Sequence, residues 1–397
     1  MNSPIPLSPR DTRRCTPRPP ANPVDDGGCV TTMPPFMSVI VPVYQGSRVL
    51  PRSLSALRAS DMPEGSWELL VVDDASTDAT ALIAAEYADT VVRLPGQPRG
   101  PAYARNRGVE LARGEIIVFI DADVCVHPDT LRRFSAIFAH EPDVSAAFGA
   151  YDTSPEAPQL VSQYRNLLHH YVHWQSAGEA ETFWGGCGAI RRQVFLEAGR
   201  YDEWSYPRPQ IEDVELGHRV RRLGYRIVLR PEIQCKHLKR WTLRGVLTGD
   251  FRDRGVPWTR MLIQNGLATK TRTLNLRTVE KLNTVLVWLA LGLVGVALLW
   301  RSWPAAAVAA VCLSMVIWLN RALYGFFVRA RGLWFAVAVV PLHTLYYVNN
   351  GFAVLYGWTL HHLFGEPMPD ATTQAYAEVG VDMWPPVPAK KPDVGPR

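Results

Sequence analysis

Two acidic side chains separated by one residue, Asp121 and Asp123, come directly after the short apolar run Ile116–Ile120. The length of this run and its β-branched residues predict a buried parallel strand. In an open α/β sheet, ligands bind beyond the carboxyl ends of the strands, and alternate residues there face the same way. Both carboxylates could therefore bind one hard divalent cation, although an isolated Asp-x-Asp pair more often forms only a turn.

Two further acidic pairs stand at the ends of predicted elements. Asp73 and Asp74 follow the predicted strand Trp67–Val72, and Glu212 and Asp213 open a predicted helix. Acids in these positions also form turns or interact favourably with a helix dipole, so neither pair is specific by itself. The function of each acidic pair therefore depends on the strands and helices that position it.

The segments around these acids alternate between apolar runs and helical patterns. Four alternations in about 90 residues predict an α/β fold with a parallel sheet and crossover helices. The predicted strands are Met37–Val43, Trp67–Val72, Val91–Leu94, Ile116–Ile120, Val144–Ala150 and Tyr225–Leu229. The predicted helices are Ser47–Ala59 with Ser47 as N-cap, a helix capped by Thr77 or Asp78 that ends at Tyr87, one that opens at Gly100, Leu160–Trp174 and Ile211–Leu223.

The composition limits the class of protein. Charged residues are 20% and hydrophobic residues 47% of the 397 residues, which excludes a wholly disordered chain and allows about two or three domains. The net charge of +5 could suit an anionic ligand or membrane surface but does not indicate nucleic acid. Six cysteines without a Cys-x-x-Cys pair predict free thiols in a reducing compartment.

The two ends of the chain differ from its centre. Residues 1–35 are rich in Pro, Arg, Asp and Gly, which predicts disorder, and they lack the apolar core of a secretory signal. Met33 or Met37 could also be the start of translation. Residues 242–281 mix basic residues with Trp and Leu, a composition typical of helices in a membrane interface. Residues 359–397 are predicted to form a polar tail.

Three apolar stretches, residues 282–300, 304–328 and 333–358, predict transmembrane helices. Basic residues precede the first stretch and separate the second from the third, whereas only Arg301 lies between the first two. The positive-inside rule then places the α/β domain on the cytoplasmic face of the membrane. The alternative is that these are three buried helices of a soluble protein.

Six motifs in order along residues 36–241 resemble family 2 glycosyltransferases. Each motif alone is weak, but the ordered set is specific. The motifs are Val41-Pro42-Val43-Tyr44, Val71-Val72-Asp73-Asp74-Ala75-Ser76-Thr77-Asp78, Ala104-Arg105-Asn106, Phe119-Ile120-Asp121-Ala122-Asp123, Gly185-Gly186 with Arg191-Arg192, and Glu212-Asp213.

The resemblance implies a GT-A fold, a nucleotide-diphosphate-sugar donor and transfer with inversion. Together with the apolar C-terminus it resembles the membrane-attached branch of the family, and a lipid or lipid-linked acceptor is the simplest expectation. Two alternatives remain open, a processive polysaccharide synthase and a membrane protein that binds nucleotide sugar without turnover.

The resemblance also implies roles for the residues on the donor side. Asp123 would bind Mg²⁺ or Mn²⁺, and Asp121 would contact the ribose or the metal. Asp74, or less favourably Asp73, would contact the nucleotide base, and Arg105 the diphosphate. Pro42, Val43, Tyr44, Gly185 and Gly186 would line the donor site.

On the acceptor side, the family places the base that accepts the hydroxyl proton at the Asp of a Glu-Asp pair, here Asp213. The neighbouring Glu212 could raise its pKa through repulsion between like charges. Trp184 and Trp241 are predicted to lie at the acceptor.

The segment His237-x-x-Arg240-Trp241 departs from the Gln-x-x-Arg-Trp motif of processive synthases. This departure favours a non-processive enzyme, in which Arg240 could bind the diphosphate. His237 would be either a further metal ligand or a surface histidine beside a strand.

A second histidine pair, His169 and His173, has the i, i+4 spacing of zinc ligands. Because no third ligand is placed to complete a site, we expect instead an aromatic helix near the acceptor, with Tyr164, Tyr171 and Trp174.

Overall fold

The computed structural model describes residues 36–266, 277–365 and 382–383. Its strands are β1 (Met37–Val43), β2 (Trp67–Asp73), β3 (Thr90–Arg93), β4 (Ile116–Ile120), β5 (Val124–Val126), β6 (Val144–Tyr151), β7 (Gly178–Glu179), β8 (Cys187–Arg191), β9 (Arg226–His237) and β10 (Asp382–Met383). The predicted disordered segment, residues 1–35, and most of the predicted polar tail lie outside the described residues.

The helices of the α/β region are α1 (Leu50–Arg58), α2 (Thr80–Tyr87), α3 (Pro101–Leu111), α4 (Thr130–His140), α5 (Leu160–Gln175), α6 (Arg192–Glu197) and α7 (Glu212–Arg222). They are followed by α8 (Leu243–Thr248), a π-helical turn (Gly249–Gly255), α9 (Val256–Gln264), α10 (Thr278–Trp300), α11 (Trp303–Leu319), α12 (Arg321–Arg331) and α13 (Leu333–Phe364).

A single twisted sheet forms the centre of the domain, in the order β10-β3-β2-β1-β4-β8-β6-β9-β5, with β7 paired to β9. The α/β fold is as predicted, and β3, β2, β1 and β4 form its parallel half. The other half is mixed, since β8 runs antiparallel to both β4 and β6. The reversal follows from the chain path, because the Asp121 N–H bonds to Gly186 O at 3.1 Å, so β8 starts where β4 ends.

Alternate residues of the buried strands supply two separate cores, as the period of a strand requires. In β1, Val39 and Val41 face the core formed with α1, α2 and α4, whereas Ile40 faces the core formed with α3, α6 and α7. Because both faces are covered by helices, the strands read as continuous apolar runs.

Two predicted boundaries were wrong for identifiable reasons. Helix α1 begins at Leu50 and not at Ser47, because the Gly46 carbonyl accepts bonds from the Val49 and Leu50 amides while the Ser47 amide bonds to Asp78. Strand β9 continues for 12 residues to His237, because it pairs first with β6 and then with β5. The longer strand carries His237 to the end of β4.

By length and composition, α10 could cross a membrane, and α11 with α12, bent by 63° at their junction, could form a second, broken span. Among the described helices α13 is not a further candidate by these criteria, so the predicted third span is not supported by them. Helix α13 also continues to Phe364, so the predicted tail begins inside a helix.

The α/β domain rests directly on the apolar helices. Leu167 and Leu168 of α5 pack with Leu323 and Phe327 of α12 and with residues of α13. Near α9, a Cβ added at Gly357 would lie 3.1 Å from the Val256 carbonyl oxygen, so these helices are in close contact.

Candidate active site

A cleft of about 700 Å³ opens where the carboxyl ends of β1, β2, β4 and β9 meet the start of α7 and one side of α5. Most of the predicted site residues line it, although they are spread over 200 positions of the chain. The predicted residues in its wall are Pro42, Val43, Tyr44, Asp74, Arg105, Asp121, Asp123, Trp184, Glu212, Asp213, His237 and Trp241.

Asp74 lines the end of the cleft at which the sequence predicts the nucleotide base. Its carboxylate accepts backbone bonds from Arg99 at 2.9 Å and Gly100 at 2.7 Å, which fixes it at the start of α3. Burial raises the pKa of Asp74, and the two backbone bonds oppose this shift. Asp73, in contrast, is fully buried away from the cleft and accepts a bond from the Ser76 amide, so it serves the turn.

Arg105 connects two of the predicted acids at the centre of the cleft. Its guanidinium donates to Asp121 Oδ1 at 2.7 Å and to Glu212 Oε1 at 3.0 Å, and only 4% of its side chain is exposed. The other oxygen of Glu212 accepts the Gln210 amide at 2.8 Å. Glu212 therefore fixes the position of Arg105, and the positive charge of Arg105 lies beside Asp121.

The loop before β8 permits this arrangement because Gly185 has no side chain. A Cβ at Gly185 would lie 2.9 Å from the Tyr201 hydroxyl and 3.3 Å from Arg105 Cζ. Gly185 and Gly186 border the cleft rather than line it.

Asp213 has the properties of a general base. Its carboxylate accepts bonds from the Gly185 amide at 3.1 Å and from the Val214 amide at 2.8 Å. Burial, followed by the negative charge of Glu212, raises the pKa of Asp213 to about 7. A carboxylate with this pKa is suited to accept a proton near neutral pH. The like-charge effect of Glu212 was predicted, but burial is the larger cause.

His237 and Asp123 form a pair on the opposite wall, with His237 Nε2 3.5 Å from Asp123 Oδ2. His237 Nδ1 lies 2.8 Å from Asn166 Oδ1, and the amide of Asn166 is oriented by its bond from Nδ2 to the Ser162 carbonyl. Nδ1 therefore donates the proton of this bond, and Nε2 faces the carboxylate of Asp123.

Two acceptors this close fit a divalent cation, because a carboxylate and an imidazole are both ligands for Mn²⁺ or Mg²⁺ when substrate phosphates complete the set. The predicted set of three protein ligands is not preformed, since Arg105 holds Asp121. Among the residues that the structure describes, no group of three Asp, Glu, His or Cys side chains is placed to bind a metal.

Aromatic rings form the wall between these two acid groups. The Trp184 ring lies 4.9 Å from Tyr151 and 4.8 Å from His169, whose own ring is 3.9 Å from His173. Burial lowers the pKa of His173 to about 4 and that of His169 well below its usual value, so both rings stay neutral. Both rings belong to an aromatic surface of the cleft, whereas the predicted Tyr164 and Tyr171 pack in the core with α12 and α13 and do not line the cleft.

The segment after His237 differs in part from the prediction. Trp241 lines the cleft, and its amide is held by the Ser162 hydroxyl at 2.8 Å. Arg240 is exposed and does not line the cleft, because the next residue turns back onto α5, whereas Lys239 does line it. The structure therefore does not support Arg240 as the diphosphate ligand.

Sequence reasoning missed Asn166, Ser162, Arg165, Lys239 and Arg254. A signal for the first two was present, since Ser162, Asn166, His169 and His173 recur at helical spacing as a polar stripe on the predicted helix.

Known proteins are similar to this chain over its α/β region. Residues 38–199 match the model of glycosyl transferase family 2. The glycosyltransferase AglE of Haloferax volcanii is 34% identical over 108 residues, which are 26% of this chain and 36% of AglE. The probable glycosyltransferase YdaM of Bacillus subtilis is 26% identical over 212 residues, which are 50% of this chain and 49% of YdaM. The chain thus spans less than two thirds of either relative.

Among solved structures, the mannosyltransferase PcManGT of Pyrobaculum calidifontis, in complex with GDP-Man and Mn²⁺, has a similar fold. The TM-score is 0.50 at 20% sequence identity, covering 85% of this chain and 89% of that one. The structural similarity supports the predicted fold, and the match of residues 38–199 supports the predicted family. Residues 38–199 therefore belong to a glycosyltransferase family 2 domain with the GT-A fold.

Proposed function

We propose that the chain is a membrane-attached, inverting glycosyltransferase. It moves a sugar from a UDP- or GDP-sugar to a hydroxyl of a lipid or lipid-linked acceptor. The observation that carries this proposal is Asp213, a carboxylate in the cleft wall whose pKa of about 7 matches the duty of removing a hydroxyl proton. The family 2 domain and the names of the curated relatives support the same class of reaction.

The donor would bind along the parallel half of the sheet. Tyr44 and Asp74 line the end of the cleft assigned to the nucleotide, and Arg105 lies between that end and Asp213. Asp123 and Nε2 of His237 would hold Mg²⁺ or Mn²⁺, which when bound would offset the charge of the diphosphate leaving group.

The acceptor hydroxyl would lose its proton to Asp213 as its oxygen forms a bond to the anomeric carbon. The bond from that carbon to the diphosphate oxygen breaks at the same time, and attack from the opposite face inverts the configuration. The amides of Gly185 and Val214 orient the carboxylate, so little reorganisation is needed at this step.

Membrane attachment rests on α10 and on the broken pair α11–α12. The flanking basic residues favour a cytoplasmic face for the catalytic domain. A lipid-linked acceptor fits because the cleft wall formed by α5 lies against the apolar helices.

The test is release of UDP or GDP from a panel of nucleotide sugars by membranes that carry the full chain, with lipid extract as acceptor. We expect metal-dependent release by the wild type and a loss of about 10²–10⁴-fold in Asp213→Asn. Glu215→Gln is the matched control, because Glu215 lies on the same helix but pairs with Arg219 outside the cleft. Equal release by Asp213→Asn and the wild type would remove Asp213 as the base.

A further inference from the structure

Three positively charged side chains surround the ring of Trp241 in the cleft. Lys239 Nζ lies 4.4 Å from the ring centroid, and the guanidinium carbons of Arg254 and Arg165 lie 5.8 Å and 5.9 Å from it. All three side chains line the cleft. We call Arg165, Lys239 and Arg254 the Trp241 cluster.

The cluster has more positive than negative charge. Asp250 in the π-helical turn is buried and bonds to Arg165 at 2.7 Å and 3.0 Å and to Arg254 at 3.1 Å. One carboxylate thus serves two guanidinium groups, and within the described part of the chain Lys239 has no acidic partner in an ion pair. Set against Asp250 alone, the cluster has two positive charges in excess, and Lys239 also interacts electrostatically with Asp123. A net positive charge in a concave, partly apolar wall favours the binding of an anion.

The nucleotide end of the cleft does not supply that anion. In the sheet, Asp74 follows β2 on one side of β4, whereas the segment after β9 lies on the other side. The Trp241 cluster is therefore separated from the loop that carries Asp74 by Asp121 and Asp123, although the Trp241 ring lies 6.2 Å from the ring of His237. Arg105 and a cation held by Asp123 and His237 would offset the charge of the donor diphosphate, and the donor KM of the variants below tests whether the cluster also binds it.

The cluster lies where the catalytic domain meets the apolar helices. Leu168 and Val172 line the same cleft, and Leu168 also packs in the core formed by α5, α12 and α13. The π-helical turn that carries Asp250 and Arg254 touches α13, since a Cβ at Gly255 would lie 2.5 Å from Ala353 Cβ. An anion bound here would be at the boundary between water and lipid.

We infer that the acceptor carries a phosphate or diphosphate group, which the Trp241 cluster binds while an acceptor hydroxyl lies at Asp213. The inference rests on the proposed function and names its acceptor class, a lipid that bears both a phosphate and a free hydroxyl. The phosphate is a recognition group and takes no part in bond making. The hydroxyl oxygen is the nucleophile, and its proton goes to Asp213.

The experiment compares matched acceptors with the full chain in detergent or membranes. The first acceptor is a sugar linked through diphosphate to an isoprenoid, the second is the same sugar on neutral diacylglycerol, and the third is the water-soluble sugar phosphate. We expect Lys239→Gln and Arg254→Gln each to raise the acceptor KM by about 10-fold or more for the first acceptor, with the donor KM unchanged. The wild-type acceptor KM should also rise with salt.

Arg252→Gln is the matched control, because Arg252 lies on the same turn as Arg254 but pairs with Asp253 and does not line the cleft. Preference for the first acceptor over the third would show that the bound phosphate belongs to a lipid. Equal use of the two would show that a free sugar phosphate is sufficient. A raised donor KM in the variants, or equal use of the neutral lipid, would overturn the inference while leaving the transferase intact. Absence of nucleotide release by the wild type with every donor would instead overturn the proposed function.

Discussion

His237 and Asn166 are joined by a 2.8 Å bond between Nδ1 and Oδ1, although 71 positions separate them in the chain. Asn166 is itself held by the Ser162 carbonyl within α5. This bond determines which nitrogen of His237 faces Asp123. Outer contacts of this kind orient metal-binding histidines and raise their affinity.

Replacing Asn166 should therefore weaken the binding of a divalent cation. Asn166→Leu should lower the affinity for Mn²⁺ in the presence of nucleotide by about 10–100-fold, because the ring of His237 can then rotate or change tautomer. Electron paramagnetic resonance of free Mn²⁺ measures this without turnover. Asn166→Asp keeps the acceptor oxygen and should retain most of the affinity.

Asn265→Ala is a suitable control, because the Asn265 side chain bonds to Arg222 and to the Met261 carbonyl of its own helix, outside the cleft. Unchanged Mn²⁺ affinity in Asn166→Leu would show that this bond does not orient a ligand.

The pH dependence of the reaction should report the ionisation of Asp213. Burial and the charge of Glu212 raise its pKa to about 7, so the base is protonated and inactive below that pH. The wild-type kcat/KM should therefore fall tenfold per pH unit on the acid side of about 7. Glu212→Gln removes one cause of the raised pKa, so the acid limb should move to lower pH.

A pH profile measured with two donors separates this effect from changes in donor binding. Glu215→Gln should leave the acid limb where it is. An acid limb that does not move in Glu212→Gln, in a variant that retains activity, would contradict the coupling between the two carboxylates.

Gly185→Ala should reduce the rate without unfolding the domain. The new Cβ would meet the Tyr201 hydroxyl at 2.9 Å and Arg105 Cζ at 3.3 Å, so the Tyr201 and Arg105 side chains must shift. We expect kcat to fall by about 10–100-fold, as small misplacements in an active site often cause. Steady-state kinetics with circular dichroism of the purified protein measures both effects.

Gly292→Ala is the matched control, because nothing lies within 4 Å of a Cβ at Gly292 on α10. Wild-type kinetics in Gly185→Ala would mean that the close contact of this loop with Arg105 is not required.

The parallel half of the sheet and the acids at its edge were predictable from the sequence. Their strands are buried on both faces, so β1, β2 and β4 read as apolar runs, and Asp74, Asp121 and Asp123 follow directly. In this half of the sheet, the apolar runs predict the strands and the acids follow the strands directly in sequence. Contacts with distant residues are not needed for the prediction.

The remaining features depend on contacts between distant segments. Asp250 meets Arg165 across 85 positions, and the antiparallel position of β8 depends on how its loop returns to Asp121. Arg240 occupies the position of the Arg in the Gln-x-x-Arg-Trp motif, but the course of the chain turns its side chain to solvent. The spacing of apolar residues along the sequence does not predict such contacts between distant segments.

Helix α5 contributes to two regions at once. One side holds His237 and Trp241 through Asn166 and Ser162, whereas Leu167 packs against α12 and α13, and Leu168 borders both the cleft and that core. Helices α12 and α13 are thus part of the scaffold of the proposed catalytic site. Truncation before α10 would expose the face of α5 that packs against α12 and α13, and would weaken the support of His237 by that helix. We therefore expect a fragment that ends before α10 to lose activity while its α/β domain stays folded.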